Sequence, residues 1–295
     1  MDSACEPGSV LRRGAALAGT HVEICAVNKV KTHVVTLLRH LLPKRIRDSL
    51  LHLSFHIAPD EFKKFAHLYS FAPDMELGLE AFKRLGFAPG AILDVGAFEG
   101  DWARMARRLW PQSRLILIEP NRAKKPLLEA ISVELGAELH CELLGATDGQ
   151  DVEFHLMGSG SSVMGERSPL PRTTEHRQLR RLDSLLNGIP PPALLKIDAQ
   201  GYELEILKGA TGLMQSIDAV LLEVALIEIN EGAPLLYDVL VFMQERGFVA
   251  YDILEIHRRP LDRALNQVDI LFLKQNSLLI SDKRHFAPAL ERREA

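Results

Sequence analysis

Cysteine is scarce in this chain. Its three cysteines, Cys5, Cys25 and Cys141, are scattered and form no C-x-x-C pair. That excludes a disulfide framework and a cysteine-built zinc site, and it fits a reducing compartment, so a cytoplasmic location is expected. Long apolar runs are missing too. No stretch approaches the roughly 18 apolar residues a spanning helix needs, and after Arg12 and Arg13 only residues 15–18 run apolar before His21, too few for a signal-peptide core. There is no excess of positive charge. A net charge of -4 gives no electrostatic case for a nucleic-acid partner. No G-x-x-x-x-G-K-[ST] loop occurs, which removes the commonest NTPase and kinase readings, and no internal repeat or low-complexity tract is found. What remains is 295 residues, 47% hydrophobic and 25% charged, the composition of an ordinary globular protein long enough to bury a core without staples.

The chain reads in three parts. Residues 1–87 form a helical extension, its first 24 or so loosely ordered. Within it, apolar residues recur at helical spacing from Val27 to Ile57, with a break at Pro43, and helices are expected over 61–69 and 75–85. The 27–57 stretch is basic, carrying Lys29, Lys31, Arg39, Lys44, Arg45 and Arg47 against Asp48. Such a face suits peripheral contact with an anionic membrane surface, an oligomer contact between copies of the chain, or a cap over the acceptor side of a sheet. Residues 88–276 alternate short apolar runs with amphipathic segments. Strands are expected at 91–95, 114–118, 139–144, 152–157, 194–197 and 219–223, with a terminal hairpin of 248–256 and 268–273. Between them fall helices at 101–110, 122–135, 202–214 and 234–246 and a Gly/Ser/Pro-rich loop from 158 to about 174. Unbroken apolar strands alternating with helices imply an α/β fold with a mostly parallel sheet covered on both faces. Residues 277–295 form a tail.

The sharpest local pattern is Ala91-Ile-Leu-Asp-Val-Gly-Ala-Phe-Glu-Gly100. An apolar strand ends in the acid Asp94, and glycines at 96 and 100 lead into a helix. Glycine permits the tight turn and a ligand's close approach at the carboxyl edge of the sheet. The next strand ends in Glu119-Pro120, a carboxylate placed to accept two hydrogen bonds from a ribose diol. A dinucleotide site needs G-x-G-x-x-G so that a helix N-terminus meets a pyrophosphate. Here the spacing is Gly96-x-x-x-Gly100, with Phe98 where the phosphates would enter, and Asp94, Glu99, Asp101 and Glu119 make the mouth acidic. That suits S-adenosylmethionine, a sulfonium without phosphate, better than NAD. An NAD-type oxidoreductase is the alternative enzyme reading, and a catalytically degenerate binding module on the same fold is the non-enzyme alternative.

The chain resembles the FkbM-type methyltransferase family in Asp94-Val-Gly-Ala-Phe-Glu-Gly100, Ile118-Glu-Pro120, Arg181-Leu-Asp-Ser-Leu185 and Leu195-Lys-Ile-Asp-Ala-Gln-Gly-Tyr-Glu-Leu-Glu-Ile-Leu-Lys-Gly-Ala210, over about residues 88–274. The resemblance implies the class I methyltransferase (Rossmann-like) fold, a seven-stranded sheet whose last strand runs antiparallel. It also implies S-adenosyl-L-methionine as donor and an oxygen acceptor, on a sugar, a lipid-linked sugar or a secondary metabolite. Carried over position by position, Asp94, Gly96, Ala97 and Gly100 flank the methionine part of the donor, Glu119 and Pro120 the ribose, and Ala146, Thr147 and Asp148 the adenine. Two departures stand out. The family often has Asn where Phe98 stands and Glu where Gln200 stands, and an amide at 200 cannot act as a general base or serve well as a ligand for a hard metal.

Methyl transfer is an in-line displacement helped by a base when the acceptor is a hydroxyl. Asp198, ending a buried strand, is the first base candidate and Glu223, ending the next, the second. Lys196 lies two residues before Asp198, on the same face. A buried lysine calls for an acidic partner. His257, in His257-Arg-Arg-Pro, reads as a solvated turn histidine. Residues 158–164 read as a polar lid or a plain loop. Arg167, Arg172, Arg177, Arg180 and Arg181 read as a solvated basic face or a hold on an anionic acceptor. No metal site is expected.

Overall fold

The computed structural model describes residues 73–166 and 171–285, with 42, 43, 45–47, 49, 50 and 53 besides. The chain divides into two compact units, Met1–Phe71 and Ala72–Ala295. Of the extension's expected helices, 61–69 and nearly all of 27–57 lie outside the described residues, as do Arg167 and the end of the tail. Positions 45–47, 49, 50 and 53 are helical. Among the described residues no helix is long and apolar enough to cross a membrane.

The second unit opens with α1 (Met75–Arg84), so the compact body begins well before residue 88. Asp74 caps this helix by accepting from Leu77 N at 2.9 Å, a contact worth about 1 kcal/mol. Its Leu79 and Phe82 are buried against the sheet, at roughly 1.5–3 kcal/mol each. Next come β1 (Ala91–Val95), α2 (Asp101–Leu109), β2 (Arg114–Ile118), α3 (Lys125–Leu135) and β3 (Glu138–His140). Then follow β4 (Leu143–Leu144), β5 (Asp151–Leu156), β6 (Thr173–Arg180), α4 (Leu182–Leu185), β7 (Ala193–Ile197) and α5 (Glu203–Lys208). The chain closes with β8 (Ile217–Ala225), α6 (Leu236–Glu245), β9 (Phe248–Arg258), β10 (Leu265–Lys274) and α7 (Leu278–Ser281).

Seven strands form the main sheet in the order β3-β2-β1-β7-β8-β10-β9. Its strands run parallel except β10, the last in sequence, which enters antiparallel between β8 and β9. The order reverses between β1 and β7, the switch point where open α/β sheets bind ligands. Because side chains alternate, each strand feeds two cores. Leu93, Leu195, Leu222 and Ile270 pack on one face; Ile92, Leu117, Leu194, Leu221 and Leu271 pack on the other.

The structure departs from expectation at the helix expected over 202–214, which is Glu203–Lys208 followed by a short turn at Leu213–Gln215, and again in the region after β2. The expected strand 139–144 is split: β3 joins the main sheet, and β4 joins β6 and β5 in a small separate sheet of order β4-β6-β5. Strand β5 therefore does not extend the main sheet. Strand β6, TTEHRQLR, was not anticipated, since only its Arg177 and Leu179 are buried and its polar alternation reads as loop.

Candidate active site

At the switch point β1 ends in a backbone turn that only glycine allows. Gly96 has φ +77°, and a Cβ there would stand 2.0 Å from the Asp198 carbonyl oxygen. Strands β1 and β7 are thus in close backbone contact where their carboxyl ends open a cleft. Gly100 has φ +77° and caps α2. Phe98, between them, takes φ 47° although it carries a side chain, a conformation Asn tolerates far better. Its ring lies 4.2 Å from the Lys124 ammonium.

The cleft has a volume of about 710 Å³ with its open mouth. Gly96, Phe98 and Asp198 stand at one side, Glu119 and Pro120 at another, with Leu143, Leu144 and Phe154 giving an apolar wall. Glu119 is 5% exposed. Its Oε2 accepts from Phe98 N at 2.8 Å and its Oε1 from Asn121 N at 2.7 Å, so the carboxylate is fixed while each oxygen retains a free lone-pair direction. Burial pushes its carboxyl up, against the pull of those two N–H groups. Arg177 reads in the sequence as part of a solvated basic face or as a hold on an anionic acceptor. It is instead buried and donates to the Pro120 carbonyl at 2.8 Å, holding the turn that carries Glu119. Residues 158–163 pack as another wall, and the Ser162 hydroxyl donates to the Gln200 carbonyl at 2.9 Å.

Beneath the cleft, polar side chains replace the second core at the carboxyl ends of adjacent strands. Asp94 is fully buried and paired in register with Lys196. The Lys196 ammonium lies 3.2 Å from Asp94 Oδ1 and 3.6 Å from Asp198 Oδ2, and donates to the Gly96 carbonyl at 3.1 Å. Burial alone would lower the Lys196 pKa; the charges of Asp94 and Asp198 more than reverse this and raise it. Burial likewise pushes the Asp94 carboxyl up, opposed by Lys196. With the ammonium held by two acids, we read the pair as ionised.

The row continues through an amide. Gln200, at φ 53°, donates from Nε2 to Asp198 Oδ1 at 3.0 Å and to Glu223 Oε2 at 2.7 Å. Gln267 donates to the same Glu223 oxygen at 2.9 Å. Burial, then the charges of Asp198 and Asp269, raises the Glu223 pKa well above the ordinary value. Gln200, a departure from the usual family residue, thus supplies the donors that let two carboxylates sit side by side.

Several expected positions lie elsewhere. Asp94, Ala97 and Gly100 support the cleft from behind and do not line it. Ala146 and Asp148 do not line it either. Asp148 is exposed and accepts from Arg181 N at 2.8 Å and from the Ser184 hydroxyl at 2.6 Å, because the chain turns away after β4, whereas Glu142, Leu143 and Leu144 line the cleft. His257 lies within β9, half-buried, its Nε2 2.8 Å from Asp269 Oδ2, and this bond raises its pKa.

A family model described as Methyltransferase FkbM domain matches residues 94–250, from the acid of β1 to the start of β9. The chain belongs to the FkbM methyltransferase family. The hexuronic acid methyltransferase AglP of Haloferax volcanii is 44% identical over 84 residues, 25% of this chain and 35% of that protein, so the chain spans about a third of that relative. Among solved structures, an FkbM methyltransferase from Methylobacillus flagellatus is 15% identical with a TM-score of 0.42, over 80% of this chain and 57% of that one. A precorrin-6y C5,15-methyltransferase from Geobacter metallireducens is 13% identical with a TM-score of 0.39, over 67% and 86%.

One buried acid of the FkbM domain gives a pH prediction. Glu203 is 3% exposed, and its Oε1 accepts from Ala199 N and Gly201 N. Burial pushes its carboxyl up to about 7 from 4.5. Between those values the folded chain keeps a proton the unfolded chain has lost, so stability is full below pH 4.5 and declines as pH rises towards 7. The loss is on the order of 3 kcal/mol. Thermal melts should show Glu203→Gln flattening this decline relative to wild type; parallel curves would remove Glu203 as its source.

Proposed function

We propose that the chain carries the methyl group of S-adenosyl-L-methionine to a hydroxyl of a sugar, a lipid-linked sugar or another hydroxylated small molecule, with the donor in the cleft bounded by Gly96, Glu119 and Asp198. The observation that carries this reading is the Glu119 carboxylate, buried, clamped by two backbone N–H groups, and lining the cleft. Two free acceptor directions on one fixed carboxylate suit a vicinal diol. The wall of Leu143, Leu144 and Phe154 suits a flat heterocycle, and the acids favour a sulfonium over a diphosphate. In this reading Asp94, Ala97, Gly100 and Pro120 shape the cradle.

When bound, the donor supplies an electrophilic methyl group. The chain's own residues position it and manage a proton. Lys196 holds Asp94 and Asp198 in place. Asp198 lines the cleft, and Glu223, bonded through Oε2 by two amides, keeps Oε1 free to receive the acceptor's proton. Its raised pKa suits that task. The resemblance to a protein named a hexuronic acid methyltransferase favours a sugar as acceptor.

Calorimetric titration tests the donor assignment. S-adenosylhomocysteine should bind with one site per chain, and NAD should give no heat. Tight NAD binding without S-adenosylhomocysteine binding would reverse the assignment.

A further inference from the structure

Beyond Glu223 the polar row runs on through β10 and β9, and its far end is unaccounted for by donor binding. Asp269 on β10 stands in register with Glu223 on one side and with Glu255 on the other. His257 projects beside them. One ligating atom from each of Glu255, His257 and Asp269 falls within 4.8 Å of the others. Asp269 is 8% exposed, and the other two are half-buried. The group abuts a second cleft, of about 1300 Å³ with its open mouth, whose lining includes His257, Asn266 and Gln267.

Charge along this row does not balance. Five carboxyls, Asp94, Asp198, Glu223, Asp269 and Glu255, stand on neighbouring strands, and Lys196, the ammonium among them, is spent on the first two. Glu223 receives two neutral amide donors. Glu255 receives no hydrogen bond from any described residue, and its electrostatic neighbours are His257 and the acids Asp269, Asp74 and Asp198. Two carboxylates and an imidazole that converge with excess negative charge, at the edge of an open cleft, are the donor set of a divalent transition-metal site with vacant coordination positions.

We propose that Glu255, His257 and Asp269 bind one divalent cation, of the Mn²⁺ or Zn²⁺ class, beside the second cleft where His257 lines it. The sequence points the other way, because His257-Arg-Arg-Pro reads as a turn and the three residues lack a metal-motif spacing. The site arises only when the β9–β10 register brings them together. On the methyl-transfer reading, which the site itself does not need, the cation would draw two neighbouring oxygens of a polyol acceptor towards Glu223 and acidify the hydroxyl.

Titration of the full, tag-free chain with MnCl₂ alone tests the site. One Mn²⁺ should bind per chain, and electron spin-echo spectra should show nitrogen coupling from one imidazole. His257→Ala should abolish that coupling, and both it and Asp269→Asn should weaken binding by at least about tenfold, since even groups behind the ligands matter on that scale. If Asp269→Asn fails to fold, Glu255→Gln, which breaks no hydrogen bond, should still weaken binding. No Mn²⁺ binding by wild type, binding unchanged in His257→Ala, or bound Mn²⁺ without nitrogen coupling would each overturn the site. S-adenosylhomocysteine affinity, measured on the same samples, reports separately on the donor cleft and so separates failure of the metal site from failure of the methyltransferase reading.

Discussion

Glu119→Ala should lower affinity for S-adenosylhomocysteine by about a hundredfold or more, with the chain still folded by circular dichroism. A hydrogen bond to a charged group contributes about 1.5–3 kcal/mol. Two from one diol therefore exceed the roughly 2.8 kcal/mol that a hundredfold represents. The substitution also strips the Phe98 and Asn121 N–H groups of their acceptor, which loosens the turn after β1. Glu119→Gln keeps one carbonyl oxygen and should fall between. Calorimetry checks all three proteins. Unchanged affinity in Glu119→Ala would dismiss the ribose role and, with a retained biological activity, favour a scaffold that no longer uses the donor.

Lys196→Met should cost stability on the order of 3–5 kcal/mol, because it leaves the fully buried Asp94 charge without its partner. It also removes the group that holds Asp198 and the Gly96 carbonyl, so donor affinity should fall with it. Adding Asp94→Asn to Lys196→Met should restore a substantial part of the stability, since the uncompensated charge is then gone, but not the donor affinity. Urea unfolding of the two single variants and the double variant provides the cycle. A double variant no more stable than Lys196→Met would mean that shape, not charge, sets the cost.

Much of this architecture can be read along the chain. Strands buried on both faces, such as Ala91–Val95 and Ala193–Ile197, must be continuous apolar runs, and the buried half of β10 in the closing hairpin reads the same way. Asp94 and Glu119 stand out because an acid that ends such a run has to sit at the sheet's carboxyl edge. Residues whose roles depend on partners distant in sequence do not stand out. Gln200 looks like the loss of a base until Asp198 and Glu223 are seen on either side of its amide. Arg177 looks solvated until β6 brings it against Pro120. His257 finds Asp269 only through the antiparallel pairing of β9 with β10. Ala146 and Asp148, read as adenine-side positions, do not line the cleft. They rest on the family resemblance alone, and a short polar turn after β4 carries Asp148 out to Ser184.

The surplus of acids at the switch point bears on turnover. A sulfonium is a cation, and the thioether left after transfer is neutral. On the proposed reading, Glu119 and Asp198 at the cleft attract the charged donor more strongly than the neutral product. On that reading, the loss of positive charge on methyl transfer favours exchange of spent for fresh reagent.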